Sequence, residues 1–291
     1  MAGDRLNIDK SNEKGIIKRL VRTGEDALEN PDIFNKGRIW YPSVNEAMSQ
    51  ADLGSDISMG QRAGIISALS PAMDFSANNI HALDEIQALM DSDQAALRGA
   101  VRRHAATRDD RGQLVRRPAE ISQEMAKVMP KTGGTMDQFI VEAMDIYQGG
   151  DYHDVFSPTS FKRRAFAQNN EDPGWHIYGH QGPMNITSDY HHADLLANTL
   201  RGGKVDRGLD AIGRYRDHGM VTIAAHNLLS RRHPREWADM TPSDTQAVLW
   251  EQVKHLESRF GTMQQSVPRT GLPIYMGSTG NGRVNPELYP R

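Results

Sequence analysis

Apolar residues recur every three or four positions along most of this chain, and that spacing is typical of amphipathic helices. No long run alternates apolar and polar residues as a strand does, and no internal repeat is present. We therefore predict an all-α protein. The predicted helices cover 16–28, 44–53, 59–69, 74–89, 121–129, 136–147, 161–169, 189–200, 209–215, 220–229 and 242–256.

Breaks in the pattern predict the organisation of the chain. Residues 1–36 form a helical extension, and residues 37–260 form the main helical domain. Within that domain, 91–118 is rich in Arg and Asp and has little apolar periodicity, so we interpret it as an insertion. Residues 261–291 hold Gly, Pro and Ser with few large apolar residues, which predicts an extended tail.

Composition excludes several classes of protein. The 291 residues are 38% hydrophobic and 24% charged, which is typical of a globular chain with a real core. No run is long and apolar enough to span a membrane, and the N-terminal residues lack the apolar segment of a signal peptide, so we expect a protein that works inside the cell. The absence of cysteine excludes disulfides, thiolate metal sites and cysteine-bound iron–sulfur clusters.

The net charge of −3 does not predict a nucleic-acid partner, but basic residues are clustered locally. Seven arginines lie between Arg98 and Arg117, among them Arg102, Arg103, Arg116 and Arg117. Two shorter clusters are 161–164 and 230–235. Each cluster fits either a phosphate backbone or an ordinary solvated face.

The segment 185–196 is the strongest candidate for chemistry. Asp189 falls at or just before the start of a helix, where backbone N–H groups and the helix dipole favour an ionised carboxylate. One interpretation is that Asp189, or Ser188 beside it, is a simple N-cap. The other is that the carboxylate activates water or stabilises a cation.

Other candidate groups match no strong motif. Five histidines lie between Tyr152 and Ala193, but their spacing is not that of a known metal site, and we expect neither a metal nor a cofactor. Ser70 lacks the Gly-x-Ser-x-Gly context of a hydrolase. Aromatic side chains, including Trp40 and Tyr190, fit either the core or a base-stacking role.

Several of these segments, taken in order, resemble the helix-hairpin-helix DNA glycosylase superfamily of the endonuclease III type. They are 63–71, Asn78-Asn79, the basic helix 161–169 and Ser188-Asp189-Tyr190-His191. The chain looks even closer to a poorly characterised group of actinobacterial phage proteins, through the following short motifs. These are Trp40-Tyr41-Pro42, Ala68-Leu69-Ser70-Pro71, Lys162 to Phe166, Asp189 to His191, and Pro242 to Ala247.

The resemblance implies a glycosylase-like helical fold without an iron–sulfur cluster, DNA as the partner and no membrane. It implies a location in the cytoplasm, of an infected bacterial host if the chain is phage-encoded. It implies the site residues as follows. Asp189, His191 and Lys162 are catalytic; Arg163, Arg164, Arg102, Arg103, Arg116, Arg117 and Asn79 bind DNA; Ser70, Tyr190 and Trp40 line a base pocket.

The chain also departs from the family pattern. The glycine-rich hairpin that approaches a phosphate is replaced by Phe156-Ser157-Pro158-Thr159-Ser160, and Lys162 matches the lyase lysine only loosely. Three hypotheses follow: a glycosylase-like enzyme acting on a flipped, possibly modified base; a transferase that joins an amine to an activated 5-hydroxymethyluracil in DNA; and a non-catalytic DNA-binding protein.

Overall fold

The computed structural model describes residues 4–5, 7–50, 56–70, 137–173, 182–197, 205–206 and 208–260. In this part of the chain, helices account for nearly all regular structure, and the prediction of an all-α protein is confirmed. The exception is a pair of two-residue parallel strands, in which Asp4 pairs with Val205 and Arg5 with Asp206. The glycosylase-like form of the fold stays a prediction.

The helices follow one another in chain order, and we number them from the N-terminus. They are α1 (Glu13–Leu28), α2 (Pro31–Arg38), α3 (Trp40–Gln50), α4 (Met59–Leu69), α5 (Asp137–Tyr147), α6 (Tyr152–Val155), α7 (Phe161–Glu171), α8 (Tyr190–Ala197), α9 (Ile212–Arg232), α10 (Pro234–Trp237) and α11 (Pro242–Phe260). A short 3-10 helix, Pro183–Asn185, precedes α8. The strands are β1 (Asp4–Arg5) and β2 (Val205–Asp206).

The chain divides into two compact units. The first unit contains residues 1–41 and 174–291, and the second unit contains residues 42–173. The boundary falls within α3. The predicted division at residues 36 and 260 stays a prediction, as does the interpretation of 91–118 and 261–291, which lie outside the described residues.

In the first unit, α1 packs against α9 and α11, and α2 packs along α11. The centre of this core is apolar and shielded from water, which supplies most of the driving force for folding. Trp237 fills the space beside Phe34, with ring centroids 4.8 Å apart. Further buried members of the core are Leu20, Val21, Ala27, Leu195, Leu229, Val248 and Val253.

In the second unit, α4 is buried from Arg62 to Leu69 and packs against α5 and α7. Its start is set by a capping box: the Ser58 hydroxyl accepts the N–H of Gln61, and the Gln61 side chain accepts the N–H of Ser58. The observed helix has the bounds predicted from the sequence.

Two predicted boundaries are wrong. Helix α3 begins at Trp40, before the predicted cap at Ser43, because Pro42 is tolerated in the first turn of a helix. The predicted pair of helices 209–215 and 220–229 is one continuous helix, α9. Gly219 does not end that helix; it lies where the carbonyl of Pro183 crosses, and a Cβ there would overlap this oxygen.

Candidate functional site

One tyrosine in the first turn of α9 holds the segment that precedes α8. The hydroxyl of Tyr215 donates to the carbonyl of Ile186 at 2.8 Å and accepts the N–H of Ser188 at 3.1 Å. Tyr215 is fully buried, and burial raises the pKa of its phenol. Because the hydroxyl bonds backbone on both sides of Thr187, it determines how the chain enters α8.

Asp189 is the N-cap of α8, as one interpretation of the sequence predicted. Its carbonyl accepts the N–H of Ala193, and its Oδ1 accepts the N–H of His192, both at 2.9 Å. The side chain is half-buried. Among the described residues, no second donor reaches the carboxylate, so the cap occupies one of its two oxygens.

Buried polar side chains of Ser188, α8 and α9 are hydrogen-bonded to one another next to this cap. Ser188 Oγ is 3.0 Å from Nδ1 of His218. Thr222 Oγ1 donates to the His218 carbonyl at 2.8 Å and lies 3.0 Å from Nε2 of His192. All four side chains are at most 1% exposed. They form a connected network that ends beside Asp189.

Both histidines of this network are neutral at pH 7. Burial lowers the pKa of His192 from 6.5 to about 4, although the negative charge of Asp189 acts in the opposite direction. Burial also lowers the pKa of His218 to about 3, and His192 and Arg214 add to that effect. The imidazoles therefore act as hydrogen-bonding groups rather than as cations.

The other predicted site residues of the first unit lie near α8 and α11. His191 is half-buried, with its ring centroid 6.3 Å from that of Trp250. Trp40 is buried and packs edge-to-face against Tyr41 at 4.8 Å and Trp250 at 6.0 Å. Tyr190 is the first residue of α8. The burial of Trp40 in an aromatic cluster is a core role.

The basic cluster of α7 lies in the second unit, and two of its members bond to protein. Arg163 is buried and pairs with Glu142; its guanidinium also lies over the rings of Phe139 and Phe156, 4.9 and 4.6 Å from their centroids. Arg164 is half-buried. Its guanidinium donates to three backbone carbonyls, those of His153, Phe156 and Pro158.

Lys162 differs from its two neighbours. Its side chain is half-buried, and in the described ranges it has neither a carboxylate nor a carbonyl partner. Ser70, at the C-terminal end of α4, is buried, and its hydroxyl donates to the carbonyl of Ser67 at 3.0 Å. The remaining predicted DNA contacts, Asn79, Arg102, Arg103, Arg116 and Arg117, lie outside the described residues.

The second unit also contains a polar cavity of about 370 Å³ that the sequence did not indicate. It lies between the start of α4 and the 149–153 turn, and Asp151, Tyr152, His153 and Glu171 are among its lining residues. The Tyr152 hydroxyl donates to Glu171 Oε2 at 2.8 Å. Burial, this hydrogen bond and the charge of Glu171 all raise the pKa of Tyr152.

Two kinds of feature are absent from the described ranges. No helix there is long and apolar enough to cross a bilayer. No group of three or more His, Asp or Glu side chains in the same residues is arranged to hold a metal ion.

His191 was predicted as a site residue and Ser188 as a possible cap, whereas no role was predicted for His192, His218, Thr222 and Tyr215. A signal for part of this set was present. Residues 215, 218 and 222 are three and four positions apart, so they share one face of a helix, and that face is polar although the same helix contains the apolar residues Val221, Ala225 and Leu229. A polar stripe on a helix that must pack indicates a buried polar contact.

The fold and this site define an all-helical protein in which a helix-capping carboxylate stands in front of buried neutral histidines. The chain belongs to the Family of unknown function (DUF7178), whose model matches residues 4–256. No curated protein and no solved structure matches the chain.

Proposed function

We propose that this protein is an enzyme that acts on a flipped base of DNA, with Asp189 as its catalytic carboxylate. The observation that carries the proposal is the state of Asp189: one oxygen is tied to the first turn of α8, while the side chain remains half-exposed. A helix N-terminus keeps such a carboxylate ionised and holds its direction. Reactive groups need both properties.

The chemistry that suits this carboxylate is cleavage of the bond between base and sugar. A flipped nucleotide brings its C1′ out of the stack, at a cost of a few kcal/mol that protein contacts must offset. As the C1′–N bond breaks, positive charge develops on the sugar, and the Asp189 carboxylate stabilises it. Water then adds to C1′, and the carboxylate accepts its proton.

Phosphate contacts in this proposal are assigned to the arginines of 98–117, which stay a prediction. Lys162, which lies in the second unit and has no protein partner among the described residues, stays a predicted catalytic residue. Arg163 and Arg164 serve the packing of the second unit, since the first is buried against Glu142 and the second spans three carbonyls. A DNA substrate would place the enzyme in the cytoplasm, of a bacterial host if the chain is phage-encoded.

Three substitutions of Asp189 distinguish its role as a helix cap from its proposed role in catalysis. Asn and Ser cap helices about as well as Asp, whereas Ala loses roughly 1 kcal/mol of stability. We expect Asp189→Asn and Asp189→Ser to keep the stability and the DNA affinity of the parent and to lose turnover. Asp189→Ala loses both stability and turnover.

The assay uses duplex oligonucleotides that contain each natural base or 5-hydroxymethyluracil, followed by mass spectrometry of released bases and remaining nucleosides. The matched control is Asp151→Asn, which changes a carboxylate that caps α6 by accepting the N–H of His153 at 2.8 Å. This control keeps full turnover. Full turnover by Asp189→Asn contradicts the assignment of Asp189.

The same assay distinguishes the two other hypotheses. If the enzyme joins an amine to an activated 5-hydroxymethyluracil, the base stays attached and becomes heavier, and Asp189 accepts the proton of the amine. The third hypothesis is a non-catalytic DNA-binding protein. The observed N-cap supports it, because capping alone is a sufficient role for Asp189. In that case binding to DNA weakens steeply with salt, and no product forms with any variant.

A further inference from the structure

The polar cavity of the second unit takes no part in the proposed function. Its volume of about 370 Å³ lies within the range of sites that hold small organic molecules. Backbone forms much of its wall, because Gly60, Gly149 and Gly150 all line it. Gly149 has a φ of 104°, a conformation that favours glycine, and turns the chain along one side.

The side chains that line this cavity offer acceptors rather than donors. The side-chain amide of Gln61 is fully used, because its nitrogen donates to two backbone carbonyls and its oxygen accepts the N–H of Ser58. The Tyr152 hydroxyl donates to Glu171 Oε2 at 2.8 Å. The Ser58 hydroxyl and the His153 imidazole can donate, but both residues are exposed, and both groups can also accept.

Glu171 has one carboxylate oxygen left for a ligand. Burial, the hydrogen bond and the charge of Glu171 raise the pKa of Tyr152, so the phenol stays a donor at neutral pH and occupies Oε2. Among the described residues, Oε1 has no hydrogen-bond partner. It lies against the first turn of α4, where a Cβ on Gly60 would be 2.8 Å away. The glycine therefore gives this oxygen its place in the wall.

Charge and geometry select the kind of ligand. The described lining residues include the acids Asp151 and Glu171 but no lysine or arginine, so a cation is attracted and an anion is repelled. A guanidinium fork pairs with both oxygens of a carboxylate, whereas an ammonium group is a point charge with three donors. Because Oε2 of Glu171 is already occupied, the single free oxygen suits an ammonium group better.

We propose that this cavity binds a small organic amine, whose primary ammonium group donates to Oε1 of Glu171. The rest of the cavity holds the carbon chain of the amine. The ammonium group belongs either to a free molecule or to a lysine side chain of another protein, since the two have the same chemistry. No step of base release depends on this site.

Binding is measured on the full chain without DNA, by titration of its 15N amide signals. The signal of Gly60 is assigned by comparison with Gly60→Ala. The probes share one carbon chain and differ in the head group: butylammonium, butylguanidinium, butanol and butyrate. We expect butylammonium to shift the Gly60 signal and to bind more tightly than the other three. Equal binding of butanol or butyrate overturns the inference, as does the absence of any shift with butylammonium.

Three substitutions distinguish this site from a general attraction of cations to the protein. In Glu171→Gln, the amide oxygen still accepts the Tyr152 hydroxyl, but the charge is lost, and we expect the affinity for butylammonium to fall about 10- to 100-fold. Gly60→Ala keeps every charge and displaces Oε1, so it also weakens binding. The matched control is Glu46→Gln, which removes an exposed carboxylate outside the cavity and leaves the affinity unchanged.

These variants can also contradict the site. If Glu171→Gln or Gly60→Ala binds butylammonium as the parent does, the ammonium is not held by Oε1. If Glu46→Gln loses as much affinity as Glu171→Gln, the attraction is not specific to the cavity. Either result overturns the inference.

Tyr152→Phe gives a test that loss of folding cannot imitate, because it predicts a gain. Without the hydroxyl, both oxygens of Glu171 are available and match the guanidinium fork. We expect butylguanidinium to gain affinity relative to butylammonium in this variant. The same preference as in the parent overturns the assignment of the ammonium to Glu171.

Two further probes distinguish the sources of the ammonium group. 1,4-Diaminobutane is a free amine, and Nα-acetyl-lysine amide carries the same group on a peptide backbone. Tighter binding of the first assigns the cavity to a free amine, and tighter binding of the second assigns it to a lysine of a partner protein. If neither shifts the Gly60 signal, the inference is wrong. These titrations contain no DNA, so their outcome does not depend on the proposed function.

Discussion

Replacing Gly219 with alanine tests the close approach that builds the candidate site. Gly219 lies in the interior of α9, where the chain that leads to Asp189 crosses the helix. A Cβ added at this position would overlap the carbonyl oxygen of Pro183 and lie 2.8 Å from its Cα. The obstructing atoms are backbone, so they cannot move aside as a flexible side chain would.

Two opposing terms set the size of the effect. Glycine inside a helix costs about 1 kcal/mol relative to alanine, so Gly219→Ala gains that amount from helix propensity. Overpacking costs about 1–3 kcal/mol, and a clash with backbone belongs at the upper end of that range. We expect a net loss of about 2 kcal/mol, together with a displacement of the 183–189 segment.

The matched control is Gly213→Ala in the same helix, because a Cβ at Gly213 meets nothing within 4 Å. We expect the free energy of unfolding of this variant to rise by up to about 1 kcal/mol, because alanine has the higher helix propensity and its Cβ meets no clash. Urea unfolding of both variants measures the difference. If Gly219→Ala is as stable as Gly213→Ala, the close packing of the 183–185 turn on α9 is wrong.

Other predictions concern buried charge and pH. Glu142→Gln leaves the buried Arg163 guanidinium without a negative charge beside it, and we expect it to lower the free energy of unfolding by about 3–5 kcal/mol in urea titrations. Glu142→Leu combined with Arg163→Met costs less, and equal losses contradict a desolvated ion pair. Burial lowers the pKa of His226 from 6.5 to about 4. The unfolded chain therefore binds more protons below pH 6.5, and His226 destabilises the fold by about 2 kcal/mol between pH 7 and pH 5. His226→Asn keeps an acceptor for Thr245 and removes that share of the acid sensitivity; unchanged pH dependence refutes the assignment.

The first residues of several helices could be predicted from the sequence, because local signals mark them. Ser58 and Gln61 make a capping box, Asp189 is followed by an apolar-polar repeat, and Pro242 stands at the first position of α11. Each signal acts within four residues, so no knowledge of the rest of the fold was needed. The N-cap role of Asp189 was available for the same reason.

The failures of prediction depend on distant partners. In the sequence, Gly219 looks like a helix break. In the structure it is needed because the carbonyl of Pro183, 36 positions earlier in the chain, lies against the helix there. Arg163 resembles a phosphate ligand, yet its partner is Glu142, on another helix. A basic side chain on a helix has the same local pattern whether it faces solvent or a buried carboxylate.

The choice between His191 and His192 shows the same limit at the candidate site. Neighbouring residues of a helix point about 100° apart, so α8 presents one imidazole toward Trp250 and the other toward Thr222. Which imidazole is buried depends on the face that packs against α9, and the sequence of α8 does not contain that information.

Burying the polar face of α9 costs desolvation free energy, and the hydrogen bonds that offset this cost indicate which segment the face supports. Tyr215, His218 and Thr222 would pack more simply as apolar residues, since each buried polar group must find a partner. Each of the three side chains bonds the 186–192 segment: Tyr215 bonds the Ile186 carbonyl, His218 bonds Ser188, and Thr222 bonds the ring of His192. Apolar replacements of the same volume would bury this segment but would leave its register and its imidazole undefined. A network whose bonds converge on the turn around Asp189 therefore has the properties expected of a support for the Asp189 carboxylate.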